Sequence, residues 1–215
     1  MFLFRSLSCS VLLATGVSAE STGVKDPVLA LLDRQDLGEA KQDLVEQSVK
    51  EAVKPIIVRP ESLEELQAKY RSVMKYPEKP AHQAHLSDAE WERFALSLGD
   101  ANLNGVIAER LPRFAASYLF SKDERLADHV RAQLSEMAKW KPLERPGTVS
   151  TRQNLTFSPW LGTGWAIRGI TETLEIMPQD AIPAELRKTL IENMEAEIGG
   201  IRQAWKAQNL WYTKE

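Results

Sequence analysis

The sequence predicts an all-α protein of about six helices, on three observations. The run from Leu103 to Trp140 encodes two amphipathic helices joined by a short polar hinge, Ser121-Lys122-Asp123-Glu124. Apolar residues recur there at intervals of three and four, the helical period. Such a hairpin cannot bury both of its apolar stripes alone, and two further helical patterns follow it. The expected arrangement is three successive helical hairpins.

Within Ser21–Val58, a polar and charged arm, the segment DLVEQSVKEAVK can form a helix that ends before Pro55, with a narrow apolar stripe. Pro60 is expected to open the next helix. Glu61, Glu64 and Glu65 favour its first turn, where negative charge meets the positive end of the helix dipole, and Leu63, Leu66, Tyr70, Val73 and Met74 form its inner side. Pro77 and Pro80 prevent its continuation. Ser87 with Glu90 three residues later is a capping box, each side chain satisfying a backbone N–H that the first turn leaves without a partner. Trp91, Phe94, Ala95 and Leu98 line this helix, and Gly99 is expected to end it. From Ala101 to Phe120 the stripe is Leu103, Val106, Ile107, Leu111, Phe114, Tyr118 and Leu119; Pro112 predicts a kink or two short helices. Leu126, Val130, Leu134 and Met137 mark a helix over 123–140. A long connection rich in Pro, Gly, Ser and Thr spans Pro142–Pro159, a length that is often functional in a compact domain. Helices return over Trp160–Met177 and Ala184–Lys206. The pair Gly199-Gly200 in the last one predicts close helix contact or a bend, because each glycine there costs about 1 kcal/mol relative to alanine.

Residues 1–19 read as an export signal: Arg5, an apolar stretch through Val11-Leu12-Leu13-Ala14, and small residues in Val17-Ser18-Ala19 ahead of Glu20. The apolar stretch is far short of the ~20 residues that span a bilayer. Cys9, the only cysteine, lies inside this signal, so the mature chain forms no disulfide, and its place before the apolar segment argues against a lipid anchor. The expected organisation is therefore a signal peptide over 1–19, a partly helical arm over 20–58 and a helical domain over 59–215. The expected location is secreted or periplasmic, with no membrane association after signal removal. Charge is nearly balanced, 27 basic against 30 acidic residues with no basic block, which excludes nucleic acid as an expected partner.

Three stretches carry a family resemblance. FAASYLFSKDERLADHVRAQLSEMAKW resembles the helical-hairpin unit in the α/α toroid of polysaccharide lyases of the alginate lyase and heparinase II/III type. PWLGTGWAIRGITETLEIMP resembles the following helix, which crosses toward the sugar cleft, and IENMEAEIGGIRQAWKAQNLWYTKE the helix after that, ending in an aromatic loop. Together they cover roughly half of the chain. The resemblance implies a partial α/α toroid and an acidic polysaccharide as ligand. The family's asparagine, histidine and tyrosine fall mostly beyond the position matching Glu215, and so does its β-sandwich domain. The chain is thus expected to correspond to the front half of a toroid, to lack a complete catalytic set, and to bind without cleaving. Its expected partners are the polysaccharide and either a chain completing the toroid or a second copy of itself. No catalytic residue carries over.

Among single residues, Trp160, Trp165, Trp211 and Tyr212 flank loops or helix starts, where aromatic faces either stack on sugar rings or pack internally. Arg152, Asn154 and Arg168 could hold an acidic sugar, arginine through a bidentate pair with a carboxylate; solvation is the alternative. Asn154-Leu155-Thr156 also fits a glycosylation acceptor. Trp91, Trp140 and Trp205 lie on apolar stripes and read as core. His82 and His85 have ligand spacing but no third ligand nearby, so no metal or cofactor is expected. His129 sits at the border of its stripe. The acidic pairs Glu64-Glu65 and Glu195 with Glu197 read as solvated helix faces.

Overall fold

The computed structural model describes residues 38–147, 149–150, 155–156 and 160–207, with side chains over 38–147 and 161–203. The signal over 1–19 and the start of the arm lie outside the described residues. The fold is all-α. In chain order the helices are α1 (Gly38–Ala52), α2 (Leu63–Tyr70), α3 (Asp88–Ser121), α4 (Glu124–Met137), α5 (Trp160–Ile176) and α6 (Ala184–Ala207). Two 3-10 turns, Arg71–Val73 and Ala81–Gln83, join α2 to α3. Between α4 and α5 a two-residue antiparallel ladder pairs β1 (Val149–Ser150) with β2 (Leu155–Thr156), in the register Val149 to Thr156. No described helix is long and apolar enough to cross a membrane.

The helix starts follow local chemistry. The Ser87–Glu90 capping box forms as expected. Ser62, not Pro60, caps α2, its side chain accepting from the Glu65 N–H at 3.2 Å. Asp123 caps α4 by accepting from the Arg125 N–H at 3.0 Å. Between α3 and α4 the hinge contracts to Lys122 and Asp123, with Lys122 in the left-handed conformation at φ 56°.

On α3, Gly99 does not end a helix, and Pro112 does not divide the segment into two short ones: α3 runs through both for 34 residues. Gly99 is glycine for packing, since a Cβ there would lie 2.7 Å from Leu66 Cδ2. Pro112 removes the N–H that would have satisfied the Ala108 carbonyl. That carbonyl lies instead against Gly169 of α5, 3.3 Å from where a Cβ would stand. The merger leaves two hairpins, α3/α4 and α5/α6, in place of three.

The hairpins stack in two layers, α3 on α5 and α4 on α6, with the α3–α5 seam the most extensive. Ala101 faces Gly162, Gly105 faces Trp165, and Ala108 faces Gly169, so the two helices run parallel. A Cβ on Gly162 or Gly169 would lie 2.5 Å from an α3 Cα, so only glycine permits this approach. One core fills the stack, with Leu103, Leu111, Phe114, Leu126, Leu134 and Ile170 among its fully buried side chains. Trp91 and Trp140 are buried, as expected; the Trp205 side chain lies outside the described residues. Among the described residues Gly199 and Gly200 make no close contact: none lies within 4 Å of a Cβ at either position. The close glycine contacts belong to α5 instead.

Candidate functional site at the head of α5

The segment following α4 is riveted to both hairpins by polar side chains. Trp140 is buried, its indole N–H donating to Glu136 at 3.1 Å, and the Arg59 guanidinium lies over its ring at 5.3 Å. Asp100, fully buried on α3, accepts from the Arg145 backbone N–H at 2.9 Å and from its side chain at 2.6 and 2.9 Å, and from Arg59 Nε at 3.2 Å. One turn on, Asn104 Nδ2 donates to the Leu143 carbonyl at 3.0 Å. Arg59 Nη1 donates to the Pro142 carbonyl at 2.8 Å, and Glu197 of α6 accepts from the Leu143 N–H at 2.9 Å.

This scaffold aims Glu144 at the first turn of α5. The side chain is 3% exposed, and its Oε2 accepts from the Thr163 N–H at 3.0 Å. Burial pushes the carboxyl up to about 8, reinforced by the negative Asp100 and Glu197 and opposed by the Thr163 and Gly162 amides. Desolvation wins because the charged form loses more hydration than two amides restore. Glu144 is therefore largely protonated at neutral pH. It lines a cleft of about 380 Å³ whose other polar walls are Lys141, Thr163, Asn193 and Glu197; Gly200 of α6, lacking a side chain, leaves space on the far side. Among the described residues neither a histidine nor a tyrosine lines it.

Of the residues expected to bind sugar, the structure brings two together. Trp165 and Arg168 lie three apart on α5, which makes them neighbours on one side of the helix. Trp165 is half-buried, its Cε3 and Cζ3 atoms 3.3 and 3.5 Å from the Cβ position of Gly105. A side chain on α3 at Gly105 would crowd the indole there by a few tenths of an ångström. Arg168 is exposed and forms a 3.9 Å ion pair with Glu172. Leu161, one turn earlier, is 60% exposed. Trp160 opens α5, but its side chain lies outside the described residues, as do Arg152, Asn154, Trp211 and Tyr212.

The remaining candidates sort differently from expectation. Glu195 is exposed while Glu197 faces the cleft, so the two do not form one solvated face. His82 is exposed beside Tyr76 and His85 is exposed in a turn. His129 is not a border residue but buried, because α1 covers it. Among the described residues no three of His, Cys, Asp and Glu converge to hold a metal. Sequence reasoning missed Asp100, Asn104 and Glu144. The available signal was a pair of polar residues four apart, Asp100 and Asn104, intruding beside the Leu103–Ile107–Leu111 stripe.

Compared with protein-family models, with curated proteins and with solved structures, the chain finds no match in any of the three.

Proposed function

We propose that this is an exported helical domain that binds an acidic polysaccharide along the α5 edge without cleaving it. One observation carries the reading: Trp165, laid down over Gly105, stands beside the exposed Arg168 on the same side of α5. An indole face stacks on the apolar face of a sugar ring, and a guanidinium pairs with a uronate carboxylate through two parallel hydrogen bonds. The Glu172 contact does not prevent this, since an exposed pair is worth at most about 1 kcal/mol and exchanges readily. The adjoining cleft carries no net negative charge against an acidic chain: Lys141 offsets the negative Glu197, and Glu144 is largely neutral there. The resemblance of the hairpins to those of polysaccharide lyases supports the same ligand class. Elimination needs a base at the C5 proton and a group neutralising the carboxylate, both within hydrogen-bond reach.

The test is affinity electrophoresis of the full chain through gels containing alginate, heparin or neutral dextran. The expected result is retardation by the acidic polymers only, reduced by Trp165→Ala and by Arg168→Gln. Equal mobility in all three gels overturns the proposal. Formation of unsaturated uronate, followed by ultraviolet absorbance, overturns its non-catalytic part.

A second reading, a scaffold that docks another chain, draws on the apolar residues left exposed on the second hairpin: Leu161, with Ile191 at 41% and Ile198 at 37%. Ile191 also lines a shallow apolar depression with Ala184 and Arg187. The occupant would be a further hairpin, supplied by another chain or by a second copy. Sedimentation velocity tests the second reading. Concentration-dependent association abolished by Ile191→Glu favours docking, and a monomer at all concentrations removes a second copy as the occupant.

A further inference from the structure

We infer that His129 is an acid-sensitive latch that holds α1 on the α3/α4 hairpin and releases it when the imidazole is protonated. The seam under α1 is mostly polar. Ser48 meets Ser117 at 2.8 Å, Glu51 pairs with Arg113, and the ammonium of Lys41 lies 5.3 Å from the centre of the Phe120 ring. Val49 and Ala52 are the α1 residues that pack on the apolar core, and both are only partly buried. Docking of α1 therefore leans on directed bonds more than on apolar area.

His129 of α4 makes the last of those bonds, at the C-terminal end of α1. Its Nδ1 lies 3.1 Å from the Ala52 carbonyl, which can only accept, so Nδ1 carries the proton. In the neutral ring Nε2 then holds a lone pair. That nitrogen is buried and has no hydrogen-bond partner among the described residues. The ring meets Phe114 edge-on at 5.0 Å. Protonation would place a second N–H and a full positive charge there, with no acceptor for it among the described residues.

The charges around it do not compensate. Arg110 of α3 is the charged group acting on the ring, and it repels the imidazolium. On the same two elements Glu51 and Arg113 are engaged with each other, and Lys54 follows in an exposed turn. The carbonyl end of α1 favours a cation, but its nearest oxygen is already bonded in the neutral state. Burial holds the imidazole below its ordinary range, with Arg110 adding to the effect and the Ala52 bond opposing it. The sign follows from linkage. Docked α1 binds fewer protons than undocked α1 once the pH falls below the ordinary histidine value of about 6.5, so docking weakens as pH drops.

The experiment is amide hydrogen exchange on the full chain at about pH 7.5 and about pH 5, corrected for intrinsic rates, comparing α1 peptides with α4 peptides. The expected result is a loss of α1 protection of at least about tenfold at the lower pH, with α4 unchanged. His129→Gln keeps a donor for Ala52 without titrating and should abolish the difference. Arg110→Gln, which retains the histidine, should move the transition to higher histidine affinity for protons, and so to higher pH. The inference is overturned if α1 protection ignores pH, if α1 and α4 lose protection together, if the pH dependence survives His129→Gln, or if Arg110→Gln leaves the transition where it was.

Discussion

Helix α3 carries two seams of opposite character. Toward α5 it presents Ala101, Gly105 and Ala108 to Gly162, Trp165 and Gly169, and the backbones approach as closely as glycine allows. Toward α1 it presents Arg113 and Ser117 to Glu51 and Ser48. The first seam is made of apolar contact and shape, which no change of pH or salt removes. The second is made of hydrogen bonds and charge, each worth only about 1 kcal/mol net, because undocking exchanges them for bonds to water. One helix thus anchors the fold on one side and holds a conditional attachment on the other. The head of α5 qualifies the contrast, for there polar bonds are buried deeply enough to become obligatory.

The sharpest attempt to break the comparison is therefore at Asp100. Asp100→Ala leaves Arg59 and Arg145 facing each other without their shared carboxylate and should destabilise the fold by roughly 3–5 kcal/mol in urea denaturation. A loss no greater than that of an ordinary surface pair would show that polar attachments at α3 are all conditional. Next is the glycine seam. Gly169→Ala drives a methyl to 2.5 Å from the Ala108 Cα and should cost about 3 kcal/mol by the same assay, whereas Gly199→Ala, which no described residue approaches within 4 Å, should be neutral or slightly stabilising. Equal effects at the two sites would remove the case for a close α3–α5 approach.

Glu144 sharpens the comparison through pH. Its folded-state pKa is raised to about 8 from the ordinary carboxyl value of 4.5, so between those values the folded chain binds more protons than the unfolded one. Its contribution to stability is fully present at acid pH and declines by up to about 1.4 kcal/mol per pH unit as pH rises through that window. Glu144→Gln cannot ionise and should flatten this part of the profile, measured as denaturation midpoints from acid to mildly alkaline pH. An unchanged slope would mean that Glu144 is already ionised in the folded state. The smallest effect is expected at the polar seam itself: Ser48→Ala should cost about 1 kcal/mol, visible as faster exchange in α1 with little change in the global midpoint.

Much of the helical layout was legible because it is decided locally. Ser87 with Glu90 starts a helix through bonds within one turn, and the 126–130–134–137 spacing makes a stripe whatever lies beyond it. Trp165 and Arg168 could also be singled out as candidates near a helix start. That Gly105 would give the indole its resting place could not be read, since those positions lie far apart in the chain. The carboxyl cleft was hidden for the same reason: Glu144 sits in a stretch without period, and its character comes from Asp100, Thr163 and Glu197.

What the amino-acid order determined by itself is that the chain is helical, where most of its helices start, and which residues form their apolar stripes, because capping and periodicity act within a few residues. Tertiary structure alone decided that Gly99 and Pro112 lie inside one helix, that His129 is buried, and that Glu144 keeps its proton at neutral pH. Each of those outcomes is set by atoms from another helix or loop, Leu66, Gly169, Ala52 and Asp100 among them, and contact or desolvation by a distant segment leaves no mark on local sequence.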